Sequence, residues 1–425
     1  MKGQKRALQS AMCLIPIALL CVSVIGIPPE LHLKEYLLSY GAHSDFIEEN
    51  YFDPDDAEIV FPDTKRNLIY IVLESMESTY ASKEIGGSYP DNIILNLAKL
   101  ADDNTSFSNT DQLGGAIQRS PTRGNLAGTG WTVGGLVNEF MGLPLKTPDD
   151  METSYGGDYA LLPGAIALGD ILLENAYTNE FLCGSDASFG GRREFFRDHG
   201  DYIIKDLLTA PADGIIEDGY KVWWGFEDEK LFKYAKKELT TLSTRNQPFN
   251  FTMLTADTHF EDGYVCRLCE DKYDSQYANV IACSDRQVAG FVSWVQQQDF
   301  YENTTIVIAG DHLTMDTNFF ETYNLDKDYI QTVYNVIINP APALIADDTT
   351  IYKKNRAFSA FDLFPTTLTA MGATFSGNRL GLGTDLFSGS PTIIEADGIE
   401  IVSAELPKKS DFYNERLLGK NDSTN

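Results

Sequence analysis

The sequence predicts one doubly wound α/β domain, a mainly parallel sheet flanked by helices, from Asn67 to Gly389. Three observations predict it. Short β-branched runs alternate with amphipathic segments of helical period, the order that builds βαβ units. The runs are apolar at successive rather than alternate positions, which suits strands covered on both faces. Acidic or imidazole residues recur just after three of the runs, at the strand ends where open parallel sheets gather ligands.

The elements follow in order. Lys2, Lys5 and Arg6 precede an uncharged run from Ala7 to Pro29. A helix of about 20 apolar residues crosses a ~30 Å hydrocarbon core, and positive charge on its N-terminal side keeps that end cytoplasmic. Residues 1–29 therefore read as a single transmembrane anchor, with a cleaved signal segment as the alternative. The rest of the chain would then lie outside the cytoplasm. Residues 30–66, polar, aromatic and punctuated by Pro and Asp, read as a juxtamembrane connector. The strands are NLIYIVL (67–73), YTNEFLC (177–183), FNFTML (249–254), TTIVIAG (304–310) and YNVIIN (334–339). Helical segments fall near 90–102, 132–140, 226–243, 275–298 and 360–371. Together they make a catalytic domain over 67–389, followed by a polar C-terminal tail, 390–425.

With 425 residues and 43% apolar content the chain buries a large core. A net charge of -29 repels polyanions and excludes nucleic acid as a partner. Of six cysteines, Cys13 and Cys21 fall in the anchor; Cys183, Cys266, Cys269 and Cys283 lie outside it. The CRLC run has no second CxxC and no neighbouring His group to complete a zinc site. It reads instead as one end of a structural disulfide from Cys266 or Cys269 to Cys283.

The residues after the strands carry the chemistry. Glu74 follows the first strand, Asp257 and His259 the third, and Asp311 with His312 the fourth. Glu74, Asp311 and His312 are hard-to-borderline donors suited to Zn, Mn or Mg. A hydroxyl would complete such a set and become a nucleophile there. RSPTRGNLAGTGWTVGGLVNEF (119–140) offers Ser120, Thr122, Thr129 and Thr132 beside a helix start whose amides suit an anion. The arrangement fits phosphate or sulfate ester chemistry.

These residues, with GDH at 310–312 and FDLFPTTL at 361–368, resemble the alkaline phosphatase and sulfatase superfamily. RSPTRGNLAGTG imitates the sulfatase motif, but Arg119 occupies the position that must be Cys or Ser to become formylglycine. NLIYIVLESMESTY, GTGWTVGGLVNEFMGLPL, RREFFRDHG, TADTHFEDGY and NRLGLGTDLFSG are more similar to the phosphoglycerol transferases. That family includes phosphoglycerol transferase I of osmoregulated periplasmic glucan synthesis and, more distantly, lipoteichoic acid synthase.

The resemblance implies an alkaline phosphatase/sulfatase-like fold and a transferase. It would move an sn-glycerol-1-phosphate group from phosphatidylglycerol, or from a phosphoglycerol-bearing glycan, to a glucan acceptor. Counting back from Pro144 by the family's spacing makes Thr129 the nucleophile. Glu74, Thr129, Asp311 and His312 become the metal set, for Mn²⁺ first and Mg²⁺ or Zn²⁺ as alternatives. His259 and Arg192 become the substrate contacts, Arg192 beside Phe189. Thr132 reads as a first-turn helix residue, Ser120 and Thr122 as partners of the local turn, His199 as structural, and Glu77 as a helix-face charge. Asp257 either orients His259 or caps its turn. The competing functions are a phosphodiesterase or sulfatase-type hydrolase and a non-catalytic glycan-binding protein on the same fold.

Overall fold

The computed structural model describes residues 42–146, 160–316, 318–320, 329–345 and 352–419. The expected anchor, 1–29, lies outside them. Among the described residues no helix is long and apolar enough to cross a membrane.

Six strands form the central sheet: β1 (Asn67–Leu73), β2 (Thr178–Cys183), β3 (Ile203–Lys205), β4 (Phe249–Leu254), β5 (Thr304–Gly310) and β6 (Asn335–Ile338). Their order is β6-β5-β1-β4-β2-β3. All pairs are parallel except β6 with β5, which is antiparallel. The expected strands are therefore present, and β3 is an addition. Three residues at a half-exposed edge are too few to leave a periodic signal.

Seven helices matter for the site: α1 (Leu95–Asp103), α2 (Thr132–Met141), α3 (Leu168–Glu174), α4 (Arg192–Asp198), α5 (Asp228–Leu242), α6 (Gln276–Val295) and α7 (Leu363–Ala370). Alternation along β1 divides the core in two. Leu68, Tyr70 and Val72 pack with Leu136 and Phe140 of α2, Leu172 of α3, Phe196 of α4 and Phe364 of α7. Ile69, Ile71 and Leu73 pack with Leu97 of α1, Leu239 of α5 and Ile281 of α6. A strand covered by helices on both sides has no solvent face, which explains its unbroken apolar run.

Neither expected domain boundary is a structural break. On the N-terminal side, Phe46, Ile47 and Ala57 of the connector are buried in the α2 side of the core. Phe52 bridges to Gly381 and Val60 to Thr374. Beyond Gly389, Ile393, Ile394, Val402, Leu406, Tyr413 and Leu417 join the same core. The described parts of the connector and the tail thus belong to the domain. Their few apolar residues, spaced among charges, gave no continuous signal.

Candidate active site at the carboxyl ends of the strands

β1 and β5 run in parallel register, Leu73 opposite Gly310, so the residues that follow them emerge at one level. Those residues are Glu74 and Asp311. Ser75 turns the chain sharply with a left-handed φ of 53°, a conformation costing a non-glycine residue ~1 kcal/mol or more. Two hydrogen bonds accompany that turn. Ser75 N donates to Asp311 Oδ1 at 2.8 Å, and its hydroxyl donates to Glu74 Oε1 at 2.7 Å.

Glu74, Asp311 and His312 are all buried, and they offer ligand atoms that lie within 4.8 Å of one another. His312 Nε2 stands 3.3 Å from Glu74 Oε1 and 3.5 Å from Asp311 Oδ2. Its Nδ1 bonds the Leu313 carbonyl at 2.8 Å. That bond turns Nε2 toward the carboxylates, the outer-shell arrangement seen in metal-ligating histidines.

The fit of these residues to a divalent cation rests on two buried atoms. Asp311 Oδ2 and His312 Nε2 have no hydrogen-bond partner, although buried polar atoms are nearly always paired. The electrostatics agree. Burial alone would lower the His312 imidazole, but Asp311 and Glu74 overcome it and raise it to about 10. Burial, then repulsion from Glu74, pushes Asp311 up to about 7. Burial would raise Glu74 too, yet His312 beside it holds it below the usual carboxylate range. The buried carboxylates demand positive charge, supplied here by the proton on His312, and a divalent cation answers the same demand.

The hydroxyl next to this set belongs to Thr132, not Thr129. Thr132 is the first residue of α2, and its Oγ1 donates to Glu74 Oε2 at 3.2 Å. Thr129 is buried, and its Oγ1 donates to the Leu126 carbonyl at 2.9 Å. It does not line the cavity that holds Glu74 and Thr132. The expectation for Thr129 as ligand and nucleophile is corrected accordingly. It satisfies a turn carbonyl before the helix, whereas the helix N-terminus, where an anion is favoured, begins at Thr132. Ser120 and Thr122 bond Glu400, and the exposed Arg119 bonds Gln331.

The cavity has a volume of about 370 Å³, the scale of a small-ligand site. Glu74 and Thr132 line it together with Arg192 and His259. Arg192 is anchored by its own loop. Its Nη2 donates to Ser185 Oγ at 3.0 Å and to the Asp186 carbonyl at 2.9 Å, and its Nε to the Phe189 carbonyl at 2.9 Å. His259 Nδ1 bonds the Phe260 carbonyl at 2.7 Å.

Trp224 was not anticipated. Its ring lies 4.8 Å from that of His259 and 5.3 Å from that of Phe189, forming an aromatic rim. The WW pair at 223–224 was the signal available. What brings it to the site is a bridge between Ser185 and Gly225, invisible in sequence.

Other expectations change. Glu77 is fully buried, not a solvated helix-face charge. It accepts from Thr79 Oγ1 at 2.6 Å and from Thr314 N at 2.8 Å, and burial pushes it up to about 7. Burial, then Asp228, raises the Asp257 carboxyl, and the His259 Nδ1 bond goes to the Phe260 carbonyl instead of to Asp257. His199 bonds Asp170 and the Leu161 carbonyl, a structural role. Cys266, Cys269 and Cys283 lie together but unlinked.

Comparison with known proteins accords with this geometry. A sulfatase family model matches residues 167–373. Phosphoglycerol transferase I of Escherichia coli and of Shigella boydii are each 32% identical over 337 residues, 77% of this chain. The chain spans only 40% of the length of those relatives. In fold it is similar to an alkaline phosphatase superfamily protein from Vibrio parahaemolyticus, with a TM-score of 0.55 and 19% identity, covering 84% of this chain and 78% of the other. It is equally similar to the lipoteichoic acid synthase LtaP from Listeria monocytogenes, with a TM-score of 0.55 and 18% identity, covering 81% and 80%. Residues 167–373 therefore form a sulfatase-family domain, within a chain that is similar to phosphoglycerol transferase I over 77% of its length.

Proposed function

We propose that this chain is a metal-dependent phosphoglycerol transferase acting through a phosphoglyceryl-Thr132 intermediate. The donor would be phosphatidylglycerol or a phosphoglycerol-bearing glycan, and the acceptor a periplasmic glucan. Residues 1–29 would hold the domain at the outer face of the inner membrane. One observation carries the reading: the Thr132 hydroxyl, at a helix N-terminus, touches Glu74 within a cavity shared with His259 and Arg192. Relatedness to phosphoglycerol transferase I supports the group transferred.

Glu74, Asp311 and His312 would hold the divalent cation, Mn²⁺ in this proposal, whose charge favours the Thr132 alkoxide and neutralises phosphoryl oxygens. In the first step Thr132 Oγ1 bonds phosphorus and the bond to the diacylglycerol or glycan oxygen breaks. The threonine proton is already directed at Glu74 Oε2. His259 gives the leaving oxygen its proton from Nε2, because Nδ1 is committed to the Phe260 carbonyl. In the second step a glucan hydroxyl attacks phosphorus and yields its proton to His259. The Thr132–phosphorus bond breaks, and the hydroxyl recovers its proton from Glu74. The anchored Arg192 guanidinium faces the non-bridging oxygens, where a fixed cation stabilises the transition state.

The test is headgroup-labelled phosphatidylglycerol with Mn²⁺ and β-glucan. Diacylglycerol and labelled glucan are the expected products. Labelled glycerol phosphate with unlabelled glucan would make the protein a hydrolase, and full turnover by Thr132→Ala would overturn the mechanism.

A further inference from the structure

Away from this site, three thiols converge. Cys266 and Cys269 belong to the loop that follows His259, and Cys283 belongs to α6. Their sulfurs form one group, with Cys266 Sγ 3.8 Å from Cys283 Sγ and 3.7 Å from Cys269 Sγ. Four ligands around zinc at about 2.3 Å place neighbouring sulfurs about 3.8 Å apart, the edge of the tetrahedron. The Cys269 amide donates to the Cys266 carbonyl at 3.1 Å, and this closed CxxC turn holds the first two sulfurs on one side of the loop.

From these thiols we propose a second metal site, a thiolate-held zinc that ties the loop after His259 to α6. Cys266, Cys269 and Cys283 supply three ligands. The fourth position lies toward Gln287, one turn along α6, whose terminal amide is 3.6 Å from Cys283 Sγ and 3.9 Å from Cys266 Sγ. Rotation of that amide exchanges its nitrogen for its oxygen, so Gln287 presents either a donor to the thiolates or an oxygen to the ion. A cavity of about 410 Å³ lined by Cys266, Arg267 and Tyr264 gives the ion a way in.

The site is independent of the phosphoester chemistry and has its own readout. The full chain is produced with zinc in the medium and isolated without reductant or chelator. Zinc released as the thiols are titrated with a mercurial is then measured, and zinc is replaced by cobalt(II) in a parallel sample. The expected result is one zinc released per chain and a sulfur-to-cobalt charge-transfer band in the near ultraviolet. Both persist in Asp311→Asn, which disables the other metal set, and both are lost in Cys269→Ser. Two of the three cysteines joined in a disulfide, or three free thiols with no cobalt band, would overturn the proposal. Both measurements on the unaltered chain stand even where a variant fails to fold.

Discussion

Thr129 and Thr132 share one Gly-rich turn, yet their hydroxyls do different work. Thr129 Oγ1 caps the Leu126 carbonyl, and Thr132 Oγ1 meets Glu74. Thr132→Ala should therefore lower turnover by on the order of 10⁴-fold or more, as loss of a nucleophile does, with little change in stability. Thr129→Ala should retain turnover and lose about 1–3 kcal/mol, since a buried carbonyl loses its donor. Steady-state kinetics and urea denaturation on the two variants check the pair. Exchanged outcomes would restore Thr129 as the nucleophile. The sequence places the helix start at Thr132 correctly, but spacing to Pro144 selects Thr129, and spacing along the chain does not show which hydroxyl meets Glu74 across the fold.

The position of α2 decides which hydroxyl is presented. Gly135 lets the helix lie directly on the end of β5: a Cβ there would stand 2.4 Å from the Asp311 carbonyl oxygen. Alanine is ordinarily about 1 kcal/mol better than glycine inside a helix. Here Gly135→Ala should instead destabilise by about 1–3 kcal/mol, because rigid backbone must move. It should also cut turnover at least about 10-fold by shifting Thr132 from Glu74. Thermal melts with kinetics test this, and a more stable, fully active variant would refute it. The aromatic rim is likewise an assembly of elements. Phe189, Trp224 and His259 come from three separate loops, so no local pattern announces it.

At the scale of the whole molecule, a core this large places carboxyl groups far from water, and stability inherits their titration. Burial pushes Asp385 up to about 7 from an ordinary 3.8. A raised carboxyl favours the folded state while protonated. Its contribution is complete below pH 3.8 and lost as pH rises through about 7. Asp385 Oδ1 accepts from Phe387 N at 3.0 Å, a capping role that asparagine also fills. Asp385→Asn should thus lose less stability than the parent chain between about pH 4 and pH 8. Urea midpoints at the two ends measure it, and parallel declines would refute it. The sequence by itself determined five of the six central strands and the recurrence of Glu74, His259, Asp311 and His312 at their ends. Both follow from local composition and from the rule that parallel strands are buried on two faces. Only the tertiary structure decided that the described connector and tail complete the core, that Glu77 and Asp257 are buried acids, and that Thr132 faces the carboxylates. Each depends on contacts between residues distant in the chain, where a shift of one helical turn or one bridge changes which atoms meet.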